Sequence, residues 1–201
     1  MTLLTVVTDR RRSPLPLPEL CRAAAKAGAD FIQVREKDLE GRALCQLVAE
    51  VIAAVAGSAA RVLVNGCADV ALAAGAYGVQ LPEDGLPVAD VKQAFPGLFV
   101  GASRHDAAGA RRAAREGADF VLLGPVFATP GKEARALGAG ALAAAAREAG
   151  VPVHAIGGID PSTAAAAVKA GAAGVAAIRP FLQDAGGGVG ALRAALAAAS
   201  A

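Results

Sequence analysis

The sequence is 201 residues long, enough for one domain spanning 1–201 with a substantial core, and it carries a formal net charge of +2. Its basic residues are dispersed, which argues against nucleic acid as a partner, and no apolar run of spanning length is free of Gly, Pro or charge, which argues against a membrane. Hydrophobic residues make up 55% with a mean hydropathy of +0.46, much of it alanine, while Cys21, Cys45 and Cys67 form neither a CxxC pair nor a disulfide framework.

The first apolar run, near 3–8, lacks a basic leader and reads as a strand rather than a signal peptide, so a cytoplasmic protein is the default. Arg10-Arg11-Arg12 follows, open to two readings: a solvated loop or a phosphate contact. One phrase then recurs four times, at 24–34, 71–81, 113–123 and 166–178: an alanine-rich helical segment, Gly-Ala, and an apolar strand. Glycine in the left-handed conformation ends a helix, and a short loop leads into a buried strand. Gly28, Gly75, Gly117 and Gly171 are 42 to 54 residues apart, a spacing that suits two βα units. The units between them supply the rest. Strands are predicted near 3–8, 30–34, 61–64, 77–81, 98–101, 119–123, 152–156 and 174–178. Helices are predicted near 17–27, 40–56, 67–74, 87–95, 105–116, 138–149, 160–170 and 188–200, with Pro87 and Pro161 in first turns and Gly186-Gly187-Gly188 as punctuation. Eight alternating pairs predict a closed (β/α)₈ TIM barrel; an open doubly wound sheet is the alternative.

Chemistry in such a barrel sits where the strands end. After the second strand, alternation points Gln33, Arg35 and Lys37 the same way, a donor-rich group that would be costly in a barrel mouth without an anion. Asn65 ends the third strand, and Gln80, Glu83 and Asp84 follow the fourth; Asp84 reads either as a cation ligand or as a helix cap. Ser103 and His105, after the fifth, suit phosphate binding or proton transfer, though the serine could cap a helix and the histidine could be a plain surface residue. The run from Gly124 to Lys132 reads as a lid offering Thr129 and Lys132 to an anion. Gly157-Gly158 after the seventh strand and Ile178-Arg179 after the eighth occupy the common phosphate position of these barrels. His154, inside the seventh strand, reads as a satisfied packing residue.

Taken in order, QVREK (33–37), VNGCADVAL (64–72), GVQLPEDGLP (78–87), GASRH (101–105), GPVFATPGK (124–132), AIGGI (155–159) and GVAAIRP (174–180) resemble the thiamine-phosphate synthase and TenI superfamily over roughly 3 to 180. In the synthase branch the resemblance implies a pyrimidine pyrophosphate at Gln33, Arg35 and Lys37, with Asn65, Ser103, Thr129 and Lys132 completing that site. It further implies a thiazole phosphate at Gly157, Gly158, Ile178 and Arg179, and Mg²⁺ at Asp84. Two departures stand out: Asn65-Gly66 replaces the Asn-Asp of synthases, and Thr129-Pro130-Gly131-Lys132 replaces Thr-x-Thr-Lys. Asn-Gly and Gln80-Leu81-Pro82 look more like the TenI branch, whose members tautomerise a thiazole carboxylate phosphate without metal. The first expectation is therefore a TenI-type tautomerase with His105 as acid–base and Arg35 and Lys37 as further catalytic residues. The second is a magnesium-dependent synthase, and the third a non-catalytic binder of phosphorylated thiazole or thiamine phosphate. The partners implied are a phosphorylated thiazole, a pyrimidine pyrophosphate for the synthase and, from the alanine-rich surface, a homodimer of unspecified face.

Overall fold

The computed structural model describes residues 1–129 and 135–199. Eight strands, β1 Leu3–Val7, β2 Phe31–Val34, β3 Arg61–Asn65, β4 Gly78–Leu81, β5 Phe99–Arg104, β6 Phe120–Leu123, β7 Val153–Ile156 and β8 Gly174–Ala177, form a closed parallel barrel in sequence order. The helices between and after them are α1 Leu17–Lys26, α2 Gly41–Val55, α3 Ala68–Ala73, α4 Val88–Ala94, α5 Ala107–Arg115, α6 Gly138–Glu148, α7 Ala164–Lys169 and α8 Ala185–Ala199. This is the (β/α)₈ barrel that the alternating pattern predicts. No helix among the described residues is long and apolar enough to cross a membrane.

The recurring Gly-Ala phrase has a direct structural cause. Gly28, Gly75, Gly117 and Gly171 all have positive φ, and the alanine after each donates back to the helix: Ala29 to Ala24 O, Ala76 to Ala71 O, Ala118 to Ala113 O and Ala172 to Ala167 O, at 2.8–3.1 Å. These six-to-one bonds are Schellman closures, which satisfy the last carbonyls and turn the chain straight into the next strand. Two of the copies add an aspartate that ties the returning chain to the preceding strand. Asp30 accepts from the Leu4 amide and Asp119 from the Val100 amide, at 2.6 and 2.7 Å.

Burial falls in two layers. Outward strand residues such as Leu4, Ile32, Val64, Val79, Val100, Leu123 and Val175 pack beneath the helices in one continuous cluster. Inside the barrel a smaller cluster holds Val7, Phe31, Leu63, Phe120, Leu122 and Ala176. Its floor is aromatic: Phe31, Phe99 and Phe120 stack with centroids 5.5–6.1 Å apart, and Tyr77 and His154 tilt against them. Phe31, Phe99 and Phe120 are the first residues of β2, β5 and β6, so this plug fills the amino-terminal end of the barrel.

Two helix starts differ from expectation. Gly186, Gly187 and Gly188 lie inside the first turn of α8, because the Asp184 carboxylate accepts from the Gly187 amide (2.9 Å) and begins the helix earlier. A Cβ at Gly188 would meet the Pro180 carbonyl oxygen at 2.1 Å, so this glycine serves close approach rather than a break. The helix α7 starts at Ala164, four residues late. Asp160 first closes a tight turn, accepting from the amides of Ser162 (2.8 Å) and Thr163 (3.1 Å), so Pro161 precedes the helix; Pro87 likewise sits at the N-cap of α4.

Candidate active site

Two clefts open side by side at the carboxyl mouth of the barrel. The first, about 570 Å³, is lined by Arg35, Lys37, Asn65, Pro82, Glu83, Asp84, Ser103 and His105, drawn from the ends of β2 to β5. The second, about 580 Å³, lies over β6 to β8 and includes Thr129, Ile156, Gly157, Gly158, Asp160, Ile178 and Arg179, with Asp9 and Arg12 from the β1 side. Arg35 lines both.

Gln33 is not in the wall of either cleft. It is buried beneath the first, where its amide donates to Asn65 Oδ1 at 3.0 Å, and Gln80 donates to Ser103 Oγ at 2.9 Å. These bonds orient the two cleft-lining side chains from below. The side-chain carbonyl oxygens of both glutamines have no hydrogen-bond partner among the described residues. Arg104 runs outward from the same strand end, where its guanidinium donates to the Ser103 carbonyl (2.7 Å) beneath α5.

Strand alternation ends at Val34, and the chain beyond it is held by a buried carboxylate. Glu36 accepts from the Thr8 hydroxyl (2.5 Å) and the Arg10 amide (3.0 Å), while Thr8 Oγ1 accepts from the Arg35 amide (3.0 Å). The result clamps β1 to β2 and fixes the backbone carrying Arg35 and Lys37. Burial pushes the Glu36 carboxyl above its ordinary range, opposed by the Thr8 hydroxyl and the Arg10 amide. Neither the Arg35 guanidinium nor the Lys37 ammonium has a partner among the described residues. Two unpaired cations side by side in a concave surface are an electrostatic invitation to an anion.

His105 lies in the first cleft and not among the residues lining the second. Its Nδ1 is bonded to the Gly124 carbonyl, and its Nε2 lies 3.3 Å from the Glu83 carboxylate. Asp84 is exposed on the same wall, next to Glu83. Thr129 lines the second cleft rather than joining Asn65 and Ser103 in the first, because the chain leaving β6 crosses toward β7: Val126 and Phe127 donate to the carbonyls of Ile156 and Gly157. Lys132 falls outside the described residues.

In the second cleft Gly157 and Gly158 have φ of +92° and +63°, and a Cβ on either would stand 2.5 Å from Pro125 Cβ or the Ala128 carbonyl. Only bare backbone fits, and it offers amides to a ligand. Thr163 pins this turn, donating from Oγ1 to the Gly158 carbonyl at 2.8 Å. The Asp160 carboxyl is held below the usual range, chiefly by the Ser162 hydroxyl and then by the amides of Ser162 and Thr163. Those amides are therefore engaged; the glycine turn and the side chains of Arg35 and Arg179 also line this cleft. We expect Thr163→Val to weaken inorganic phosphate binding about five- to tenfold by calorimetry, the worth of one hydrogen bond, with Thr163→Ser restoring it. Unchanged affinity in the valine variant would show that the turn needs no tether.

Residues that sequence reading passed over are Glu36, Asp9, Arg104 and Thr163, whereas Arg12 comes from the basic run for which a phosphate contact is one of the two readings. Glu36 alone carried a signal, a carboxylate at a position that alternation would send toward the helices.

Two clefts joined by one arginine, at the mouth of a (β/α)₈ barrel, have the chemistry of a site for phosphorylated small molecules. Residues 4–181 match the family described as thiamine monophosphate synthase. A thiamine-phosphate synthase of Chlorobium luteolum is 40% identical over 179 residues, covering 88% of this chain and 83% of its own. That of Methanoculleus marisnigri is 44% identical over 163 residues, covering 80% and 77%. Among solved structures, thiamine phosphate pyrophosphorylase from Pyrococcus furiosus superposes with a TM-score of 0.91 at 32% identity, covering 99% of this chain and 97% of that one. The chain belongs to the thiamine monophosphate synthase family.

Proposed function

We propose that the protein is a thiamine-phosphate synthase, joining a hydroxymethylpyrimidine pyrophosphate to a thiazole phosphate with release of pyrophosphate. The observation that carries this reading is the pair of adjoining clefts with Arg35 between them, room for two phosphorylated substrates at once. A tautomerase has one such substrate and needs a proton-transferring group beside it. The second cleft has no histidine among its described residues, and its Asp160 is engaged by backbone amides. The synthase reading, which the names of the relatives also favour, therefore takes the place of the TenI expectation.

In this reading the first cleft takes the pyrimidine pyrophosphate and the second the thiazole phosphate. The thiazole nitrogen replaces pyrophosphate on the pyrimidine methylene carbon, and the leaving oxygen keeps the bonding electrons. Arg35 and Lys37 neutralise charge that builds on that oxygen, which is worth most when the donors are already in place. The clamp through Glu36 and Thr8 supplies that placement. Asn65 and Ser103, oriented by the buried glutamines, position the pyrimidine end. Gly157, Gly158 and Arg179 hold the thiazole phosphate, with Thr129 lining the same cleft.

Magnesium fits the donor set in part. Asp84 and Glu83 put two hard carboxylates in the cleft with the cations, and Mg²⁺ commonly takes one or two carboxylates with substrate phosphates completing the shell. No cluster of three acidic, histidine or cysteine side chains suited to a metal occurs among the described residues. When bound, the metal would supply further positive charge to the departing pyrophosphate.

The test is an assay of the purified protein with both substrates, in magnesium and then in EDTA. Thiamine phosphate formed with magnesium and lost with EDTA is the expected result. No product under either condition refutes the synthase; turnover of thiazole carboxylate phosphate would then favour a tautomerase, and affinity without turnover a binding protein.

A further inference from the structure

A third pocket, of about 230 Å³, lies beside the first cleft, where the 3₁₀ turn at Arg10–Arg12 meets the chain leaving β2; Asp9, Arg11, Arg35, Glu36, Lys37 and Asp38 line it. It is smaller than the roughly 300–1,000 Å³ typical of pockets for drug-sized ligands, so it suits a small ion. Three cations and three carboxylates would cancel, but two of the carboxylates are hydrogen-bonded to other groups and the third stands beside a fourth cation. Glu36 holds the Thr8 hydroxyl and the Arg10 amide, Asp38 the Arg10 guanidinium at 2.6 Å, and Asp9 lies 3.8 Å from Arg12. Arg11, Arg35 and Lys37 have no partner among the described residues. What the pocket has left to offer is three cationic donors, and a multiply charged anion is the ligand class that satisfies them together.

Arg35 and Lys37 also line the first cleft, so pocket and cleft are continuous through them. Arg11 lines neither of the larger clefts. We propose that this pocket is a second station for inorganic pyrophosphate: the leaving group passes to it from the first cleft, still held by Arg35 and Lys37, and Arg11 draws it toward solvent. The role as an exit rests on the synthase reading; the pocket's affinity for pyrophosphate does not.

The experiment is calorimetric titration of inorganic pyrophosphate, without metal and at low salt, into the whole protein. Arg11→Ala is expected to weaken pyrophosphate binding about tenfold, and Arg11→Lys to recover most of it, because charge matters here more than fork geometry. Arg111→Ala, which removes an exposed arginine on α5, controls for net charge and should stay within about twofold of the parent. Affinity in Arg11→Ala within twofold of the parent, or a loss matched by Arg111→Ala, overturns the proposal. Turnover with an Arg11-indifferent pyrophosphate affinity would sink the pocket and keep the synthase. Arg11-dependent binding in a protein that makes no thiamine phosphate would keep the pocket and refute its role as an exit.

Discussion

Arg35→Ala is expected to lower kcat/KM for thiamine phosphate synthesis by about a hundredfold to ten-thousandfold while leaving thermal stability nearly unchanged. The guanidinium lines both large clefts and has no partner among the described residues, so the folded protein loses little when it goes. Its worth lies in contacts that exist only with substrates bound. One hydrogen bond to a charged group contributes roughly 1.5–3 kcal/mol, and two such bonds, one toward each phosphorylated substrate, give about 3–6 kcal/mol. At ~1.4 kcal/mol per tenfold, that range spans the expected loss. Arg35→Lys keeps the charge but not the planar fork, and a single ammonium cannot serve two clefts; it should recover only part of the rate. Steady-state kinetics with each substrate varied in turn, beside a thermal melt, decide the matter. A variant within threefold of the parent would mean that Arg35 separates the clefts without binding in either.

The barrel was legible because its punctuation is chemical. Each Gly-Ala phrase closes a helix by a Schellman bond, and a strand follows within a few residues, so the eight strands lie within about three residues of their predicted ends. Helix starts were less legible, since they depend on which side chain reaches the first amides. Asp184 draws Gly187 into α8, and Asp160 holds α7 back. A parallel barrel sends every strand end to one mouth, so Arg35, Lys37, Asn65, Asp84, Ser103 and the Gly157-Gly158 turn could be gathered from sequence alone. Their division into two clefts could not, because it depends on where each loop crosses, as the path of Thr129 toward β7 shows. Glu36 stayed hidden for a related reason: alternation no longer governs a side chain once the strand has ended, and Thr8, 28 residues earlier, decides where this one goes.

His154 gives the largest stability effect. It stands on β7 with 1% of its surface exposed, its ring 4.7 Å from Phe120, and a Cβ at Gly174 would touch it at 2.8 Å. It is a packing residue, as its place in the strand suggests, but not a satisfied one: neither ring nitrogen has a hydrogen-bond partner. Burial therefore pushes its pKa down to about 4, against a small opposing pull from Asp30. The unfolded chain binds a proton near pH 6.5 and the folded one does not until about pH 4, so stability is full above the first value and falls with pH between the two. At ~1.36 kcal/mol per pH unit the loss over that window is on the order of 3 kcal/mol. Glu36 and Asp160 also titrate in acid, with opposite signs. The raised carboxyl of Glu36 favours the folded state at low pH and loses that contribution as pH rises through its folded pKa. The lowered one of Asp160 stabilises above its unfolded pKa and loses that as pH falls. Comparison with a His154→Leu variant cancels both. Denaturant unfolding of the parent from pH 7.5 to 4.5 should show a decline on the order of 2–3 kcal/mol steeper than that of the leucine variant, whose stability at pH 7.5 should equal or exceed the parent's because an unmatched donor and acceptor have gone. Parallel curves would mean that the imidazole takes up its proton inside the folded barrel, and that the floor beneath the clefts is wetter than its packing indicates.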